Sequence, residues 1–129
     1  MRGRTTDPVD RLRGICLALP GVTERTSHGE SSFFVPTSIN STKDRQFVAV
    51  DDHHHGADRL AIWCAAPPGA QEELIARDGE RYFRPPYVGH RGWVGARIDG
   101  DPDWAELAEI VRDAYRQVAP KALLAQLDS

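Results

Sequence analysis

Residues Arg81 to Arg97 read Arg-Tyr-Phe-Arg-Pro-Pro-Tyr-Val-Gly-His-Arg-Gly-Trp-Val-Gly-Ala-Arg. Four arginines, His90 and four aromatics (Tyr82, Phe83, Tyr87 and Trp93) share this segment, and all 19 Asp and Glu lie outside it. Arginine forks suit planar, bidentate contacts to phosphate or carboxylate. Arg84 and Arg91 would grip phosphates while Tyr87 or Trp93 stacks a base, at ~1–3 kcal/mol per stacked base. His90 belongs to the same anion-binding set. Lys121 extends it if the end of the last long helix packs beside the Arg84 loop; otherwise it complements that helix's C-terminal carbonyls. The competing reading is structural. Trp93 then anchors the core, Pro85 and Pro86 stiffen a loop, and the arginines form a charged strand edge that blocks aggregation. Phe83 and Val94 are assigned to the core in either case.

Three further constellations carry chemistry-bearing residue types. His53, His54 and His55, with Asp51, Asp52 and Asp58, are legitimate ligands for a divalent metal. Adjacent strand residues point to opposite faces, however, so a polar hairpin turn is the preferred reading and the metal site the alternative. His28 sits among Ser27, Glu30, Ser31 and Ser32, but the spacing lacks a nucleophile elbow. A pocket near His28, Tyr87 and Trp93 is the small-molecule alternative. Cys16 and Cys64 lack metal or disulfide spacing and read as buried thiols. No catalytic motif is found and no cofactor is implied.

Composition bounds the rest. At 129 residues the chain is expected to be one domain, 1–129. Its net charge of −3 argues against nonspecific wrapping of nucleic acid, though not against a local basic stripe. No apolar run approaches a membrane span, and the start Met1-Arg2-Gly3-Arg4 lacks a signal-peptide pattern. A cytoplasmic protein, monomeric or weakly dimeric, is the expectation.

Elements that would position these residues follow from caps and periodicity. Asp7 caps and Pro8 opens a first helix carrying Val9, Leu12, Cys16 and Leu19 at helical spacing. Strand candidates are Glu24 to Ser27, Ser32 to Val35, Gln46 to Val50 and Arg59 to Cys64, with Asp51 to Asp58 as the turn between the last two. Pro67-Pro68-Gly69 opens a second helix through Arg77. Short strands follow at Arg81 to Phe83 and Gly92 to Ile98. Asp101 or Asp103 caps the longest helix, whose stripe is Trp104, Leu107, Ala108, Val111, Ala114, Tyr115 and Val118. Lys121 to Leu127 forms a short final helix. The architecture expected is an α+β two-layer domain: a largely antiparallel five-stranded sheet with helices on one face, order α-β(3)-α-β(2)-α.

These residues resemble the MmcQ/YjbR-like family. The match runs through Leu19-Pro20-Gly21-Val22-Thr23-Glu24, His28-Gly29, Leu60-Ala61-Ile62-Trp63-Cys64 and Ala66-Pro67-Pro68-Gly69-Ala70-Gln71. Its most specific block is Arg84-Pro85-Pro86-Tyr87-Val88-Gly89 followed by Arg91-Gly92-Trp93-Val94-Gly95, with Asp103-Trp104, Ala114-Tyr115 and Ala119-Pro120-Lys121 completing it. The resemblance implies an antiparallel sheet backed by helices, similar to type III secretion chaperones. It also implies a DNA-binding label, by analogy with a double-wing module in a phage transcription activator; fold analogy does not fix function. Some relatives carry formyltransferase-type names, but this chain has neither a Gly-rich nucleotide fingerprint nor an Asn/His/Asp catalytic set. The polar stretch Thr37 to Asp44 and the third histidine depart from the family's pattern. The leading expectation is DNA binding through segment 81–97. A protein- or peptide-binding adaptor and a small-molecule binder are the alternatives.

Overall fold

The computed structural model describes residues 7–52 and 59–128. The His53-His54-His55 run, Asp58 and the N-terminal Met1 to Thr6 stretch lie outside the described residues. Helix α1 (Pro8–Leu17) leads into strands β1 (Thr23–Ser27), β2 (Glu30–Pro36), β3 (Asp44–Asp52) and β4 (Leu60–Cys64). Helix α2 (Ala70–Arg77), strand β5 (Tyr82–Phe83), a 3-10 turn (Gly89–Arg91) and strand β6 (Val94–Arg97) follow, then helices α3 (Trp104–Val118) and α4 (Lys121–Leu127).

Local chemistry accounts for the helix starts. The Asp7 carboxylate accepts from Val9 N–H at 2.8 Å, and Pro8 takes the first turn, where no donor is needed. Asp103 caps α3 by accepting from Glu106 N–H at 3.2 Å, whereas Asp101 occupies the preceding turn at φ +64°. Between β1 and β2 the loop is only His28-Gly29, both at positive φ (+53° and +82°), the two-residue hairpin form that matches strand twist.

The strands form one antiparallel sheet in the order β1-β2-β3-β4-β6-β5. Six strands replace the expected five: all four candidate runs before α2 form strands, where the expected order α-β(3)-α-β(2)-α allowed three. Each has its own apolar or β-branched run, and the short loops keep them all in one meander. Boundaries also move. Strand β3 extends to Asp52, so Asp51 is strand and not turn.

Pleat alternation divides the sheet into two unlike faces. Phe33, Val35, Val48, Val50, Ile62, Cys64, Val94 and Ala96 are buried and join Leu12, Cys16, Leu107, Ile110, Val111, Ala114, Tyr115 and Leu123 of α1, α3 and α4 in one core. A bulge sharpens this division. The register passes from Phe33↔Val48 to Phe34↔Gln46, leaving Phe47 as the extra residue. Consecutive Phe47 and Val48 therefore both reach the core, and Phe47 meets Tyr115 edge-to-face at 5.8 Å. Tyr115 in turn donates its hydroxyl to Pro20 O at 2.6 Å, tying α3 to the end of α1.

On the other face the register aligns Arg25, Ser32, Ala49, Trp63, Gly95 and Phe83 in one row. Phe83 is thus not a core residue, although Val94 is. Its partner Gly95 is what allows this, since a Cβ there would sit 2.3 Å from the Phe83 ring. The ring covers that space, and the Arg59 guanidinium stacks on it at 3.7 Å. No helix among the described residues is long and apolar enough to cross a membrane.

Candidate functional site

The face of the sheet away from α1 and α3 is covered in part by the loop from Arg84 to Trp93. Its fixing point is Gln71 in the first turn of α2. That side chain is 4% exposed, and its Nε2 donates to Gly89 O at 2.9 Å and Trp93 O at 2.6 Å. The signal for it in the sequence is a polar residue in register with Leu74 and Ile75 on the packed stripe of α2. Gly89 admits the aliphatic part of Arg84, whose Cγ lies 2.6 Å from where a Cβ would be. Within the loop, Val88 N–H donates to Pro86 O at 2.7 Å. This closes a three-residue turn centred on Tyr87, whose φ is +67°. A γ-turn with positive φ is rare and strained, costing about 1–3 kcal/mol for a non-glycine residue.

Between this loop, the β1–β2 hairpin and the open sheet face lies a cavity of about 510 Å³. Ser32, Ala49 and Trp63 supply its floor, Tyr87, Val88 and Trp93 one wall, and Ser27, His28 and Glu30 the opposite rim. Gln46 and Asp51 complete the polar groups. Gln46 reaches this face because of the Phe47 bulge, and its Nε2 donates to Ser32 Oγ at 2.8 Å. Glu30 Oε2 accepts from Asp52 N–H at 2.8 Å, holding the hairpin over β3. The Tyr87 and Trp63 rings stand 6.4 Å apart at 49°. Both His28 and Tyr87, two of three non-glycine residues with positive φ among the described residues, line this cavity.

A second depression, of about 430 Å³, lies on the other side of the loop and is lined by Arg84, His90, Arg91, Gly69, Glu72 and Gln117 among others. The sequence-expected anion set is therefore divided. Arg84, His90 and Arg91 are exposed and line this depression. Tyr87, 72% exposed, and Trp93, only 5% exposed, line the aromatic cavity instead. Arg91 bridges the two by lying 5.4 Å over the Trp93 ring. Lys121 lines neither depression. It is the first residue of α4, which packs Leu123 against Gly21 near the end of α1. The remaining arginines of the segment are structural. Arg81 donates to the Arg97, Asp99 and Gly100 carbonyls, and Arg97 pairs with Asp99 at 3.0 Å.

Electrostatic partners elsewhere brace the frame. Arg77 of α2 pairs with Glu106 of α3 at 2.9 Å, and the Tyr82 hydroxyl also bonds Glu106. The guanidinium, then the phenol, hold the Glu106 carboxyl below the usual carboxylate range. Arg13 does the same for Glu24, and Arg25 for Asp44. Cys16 and Cys64 are free and buried; burial pushes the Cys64 thiol up to about 12, so neither is a ready nucleophile. Among the described residues no three His, Cys, Asp or Glu side chains gather as a metal site.

A model of the YjbR protein family matches residues 17–117, from the end of α1 through all six strands to the last turn of α3. The chain belongs to the YjbR family. Every cavity-lining residue of this YjbR domain falls within the matched stretch, and Lys121 falls outside it. Among solved structures, the chain is similar to the crystal structure of the Deinococcus radiodurans protein DR2400, a DUF419 domain. That likeness has a TM-score of 0.73 and 24% identity, over 96% of this chain and 92% of the other, and shows a shared fold. No curated protein matches.

Proposed function

We propose that this YjbR domain binds a small organic molecule in the cavity on the open face of its sheet. The observation that carries the reading is the cavity: about 510 Å³, with aromatic walls and a few placed polar groups. Small-molecule sites occupy roughly 300–1,000 Å³ and share that lining. Two strained or turn-constrained backbone positions, His28 and Tyr87, fix its rim. A ligand-observed NMR screen of fragments tests it. Hits should compete for one site and vanish in Ala49→Phe, which fills the floor. A screen without hits, or hits that persist in the filled variant, would reject the reading.

Nucleic-acid binding is the second reading, and a specific observation favours it: Arg84, His90 and Arg91 lie exposed around one depression. Counterion release would then make binding salt-dependent. The base-stacking part of that reading rests on Tyr87, because Trp93 has almost no exposed ring. Anisotropy titrations with short single- and double-stranded DNA at two salt concentrations decide it. Arg84→Ala with Arg91→Ala should abolish any such binding. The adaptor reading calls for an exposed apolar patch; the exposed large hydrophobics among the described residues, Leu17, Ile39 and Tyr87, lie on three separate segments.

A further inference from the structure

We propose that the cavity selects a cation: an organic ammonium carried on a flat apolar body, recognised by Asp51. The inference rests on the cavity reading above and names its ligand class. Asp51 lines the cavity and is 4% exposed, yet its carboxylate makes no hydrogen bond or ion pair among the described residues. The other buried polar side chains differ. Ser32 accepts from Gln46, and Gln71 serves two carbonyls. A carboxylate on a nearly buried residue that opens onto a cavity and has no protein partner among the described residues is complementary to a positive group.

Sheet register explains why the chain itself supplies no partner. Asp51 pairs across the strands with Ala61, which has nothing to offer, and Ala61 pairs with Arg97. Arg97 is committed to Asp99. The nearest aligned cation on that row is therefore already neutralised. Among the described residues that line the cavity there is no Arg or Lys, and the carboxylate of Glu30 on its rim is already engaged by Asp52 N–H. An anionic ligand would meet the Asp51 carboxylate there. A cation would meet Asp51 beside the Trp63 and Tyr87 rings, whose quadrupoles attract positive charge. The apolar body would lie on Ala49 and Val88.

Three probes of one shape isolate charge: phenethylamine, phenethyl alcohol and hydrocinnamate. Each is titrated into the full chain and into Asp51→Asn, with calorimetry for affinity and amide shifts of Ala49, Asp51 and Val88 for location. The amine should bind at least roughly tenfold tighter than the alcohol, as one charge-assisted contact implies, and the anion should bind weakest. Asp51→Asn should erase the amine's advantage and leave the alcohol's affinity unchanged. Its melting temperature should hold or rise, because no protein contact of the carboxylate is lost; Asp51→Ala repeats the comparison should the amide make new bonds. Equal affinities for amine and alcohol, or an amine preference that survives both substitutions, overturn the cation assignment while leaving the cavity reading in place. If no probe shifts those amides, the cavity reading falls and the assignment with it.

Discussion

The two sides of the Arg84–Trp93 loop have opposite chemistry within a few residues of one another. One side is polar and cationic, with the exposed heads of Arg84, His90 and Arg91. The other is aromatic and carries carboxylates, with Tyr87 and Trp93 facing Glu30 and Asp51 across the sheet. In the linear sequence they form one basic-aromatic block. Folding sorts them, because the turn at Tyr87 and the Gln71 anchor direct alternate parts of the loop to different sides. A count of charge along a segment is therefore a poor guide to the field that any one ligand would meet.

Four measurements sharpen or break that contrast. The largest effect is expected from Gln71→Ala, which takes the donor from the Trp93 carbonyl and leaves Gly89 O with Gly92 N–H alone; an orphaned buried acceptor costs about 1–3 kcal/mol. Urea unfolding should show the loss, and both sides of the loop should be perturbed together in amide spectra. A perturbation confined to one side would show that the two are held independently. Next is Gly95→Ala. Its methyl group would collide with the Phe83 ring, and overpacking of this kind costs about 1–3 kcal/mol. Thermal unfolding should register the loss, along with release of Arg59 from its stacking position.

Tyr87→Gly should separate the two sides. It relieves the positive-φ strain, worth about 1–3 kcal/mol, while removing an aromatic wall. Stability should hold or rise as cavity affinity falls, and the Arg84 side should keep its properties. Arg84→Ala should be the mildest, within about 0.5 kcal/mol in stability, with cavity binding unchanged. If it weakened cavity binding as much as Tyr87→Gly, the contrast between the sides would collapse.

Acid titration probes the frame rather than the loop. Glu24, Asp44 and Glu106 are depressed in the folded chain by Arg13, Arg25 and Arg77. Depressed carboxylates bind fewer protons folded than unfolded. Their contribution is fully present above the unfolded value of about 4 and is lost as pH falls through the lower folded values. Unfolding free energy followed from neutral pH downward should decline below about pH 4. Glu106→Gln should shrink that decline and lower stability at neutral pH.

Much of the frame was legible in the residues. The Asp7-Pro8 start, the Asp103 cap and the α3 stripe through Leu107, Val111 and Tyr115 follow from local chemistry, and the structure has them. Ile110 was missed although it is buried, because the stripe is wider than the spacing chosen for it. The site was harder. Asp51 read as turn because Asp-Asp is a poor strand former; pairing with Ala61 overrides that propensity and puts the side chain on the sheet face. The bulge at Phe47 leaves no mark in an alternating run, so the position of Gln46 beside Ser32 was invisible. A pocket near His28, Tyr87 and Trp93 is among the sequence expectations, and the three do line one cavity, brought together by contacts between distant segments that periodicity does not carry.

The tryptophans have a practical consequence. The chain has three, and Trp63 and Trp93 both line the cavity, while Trp104 lies at the start of α3 with the Arg11 guanidinium 5.0 Å over its ring. Two of the chain's three indoles thus stand where a guest would sit. Occupancy should alter the colour and intensity of that emission without any attached dye, and Trp104→Phe would leave a protein whose glow reports on the cavity alone.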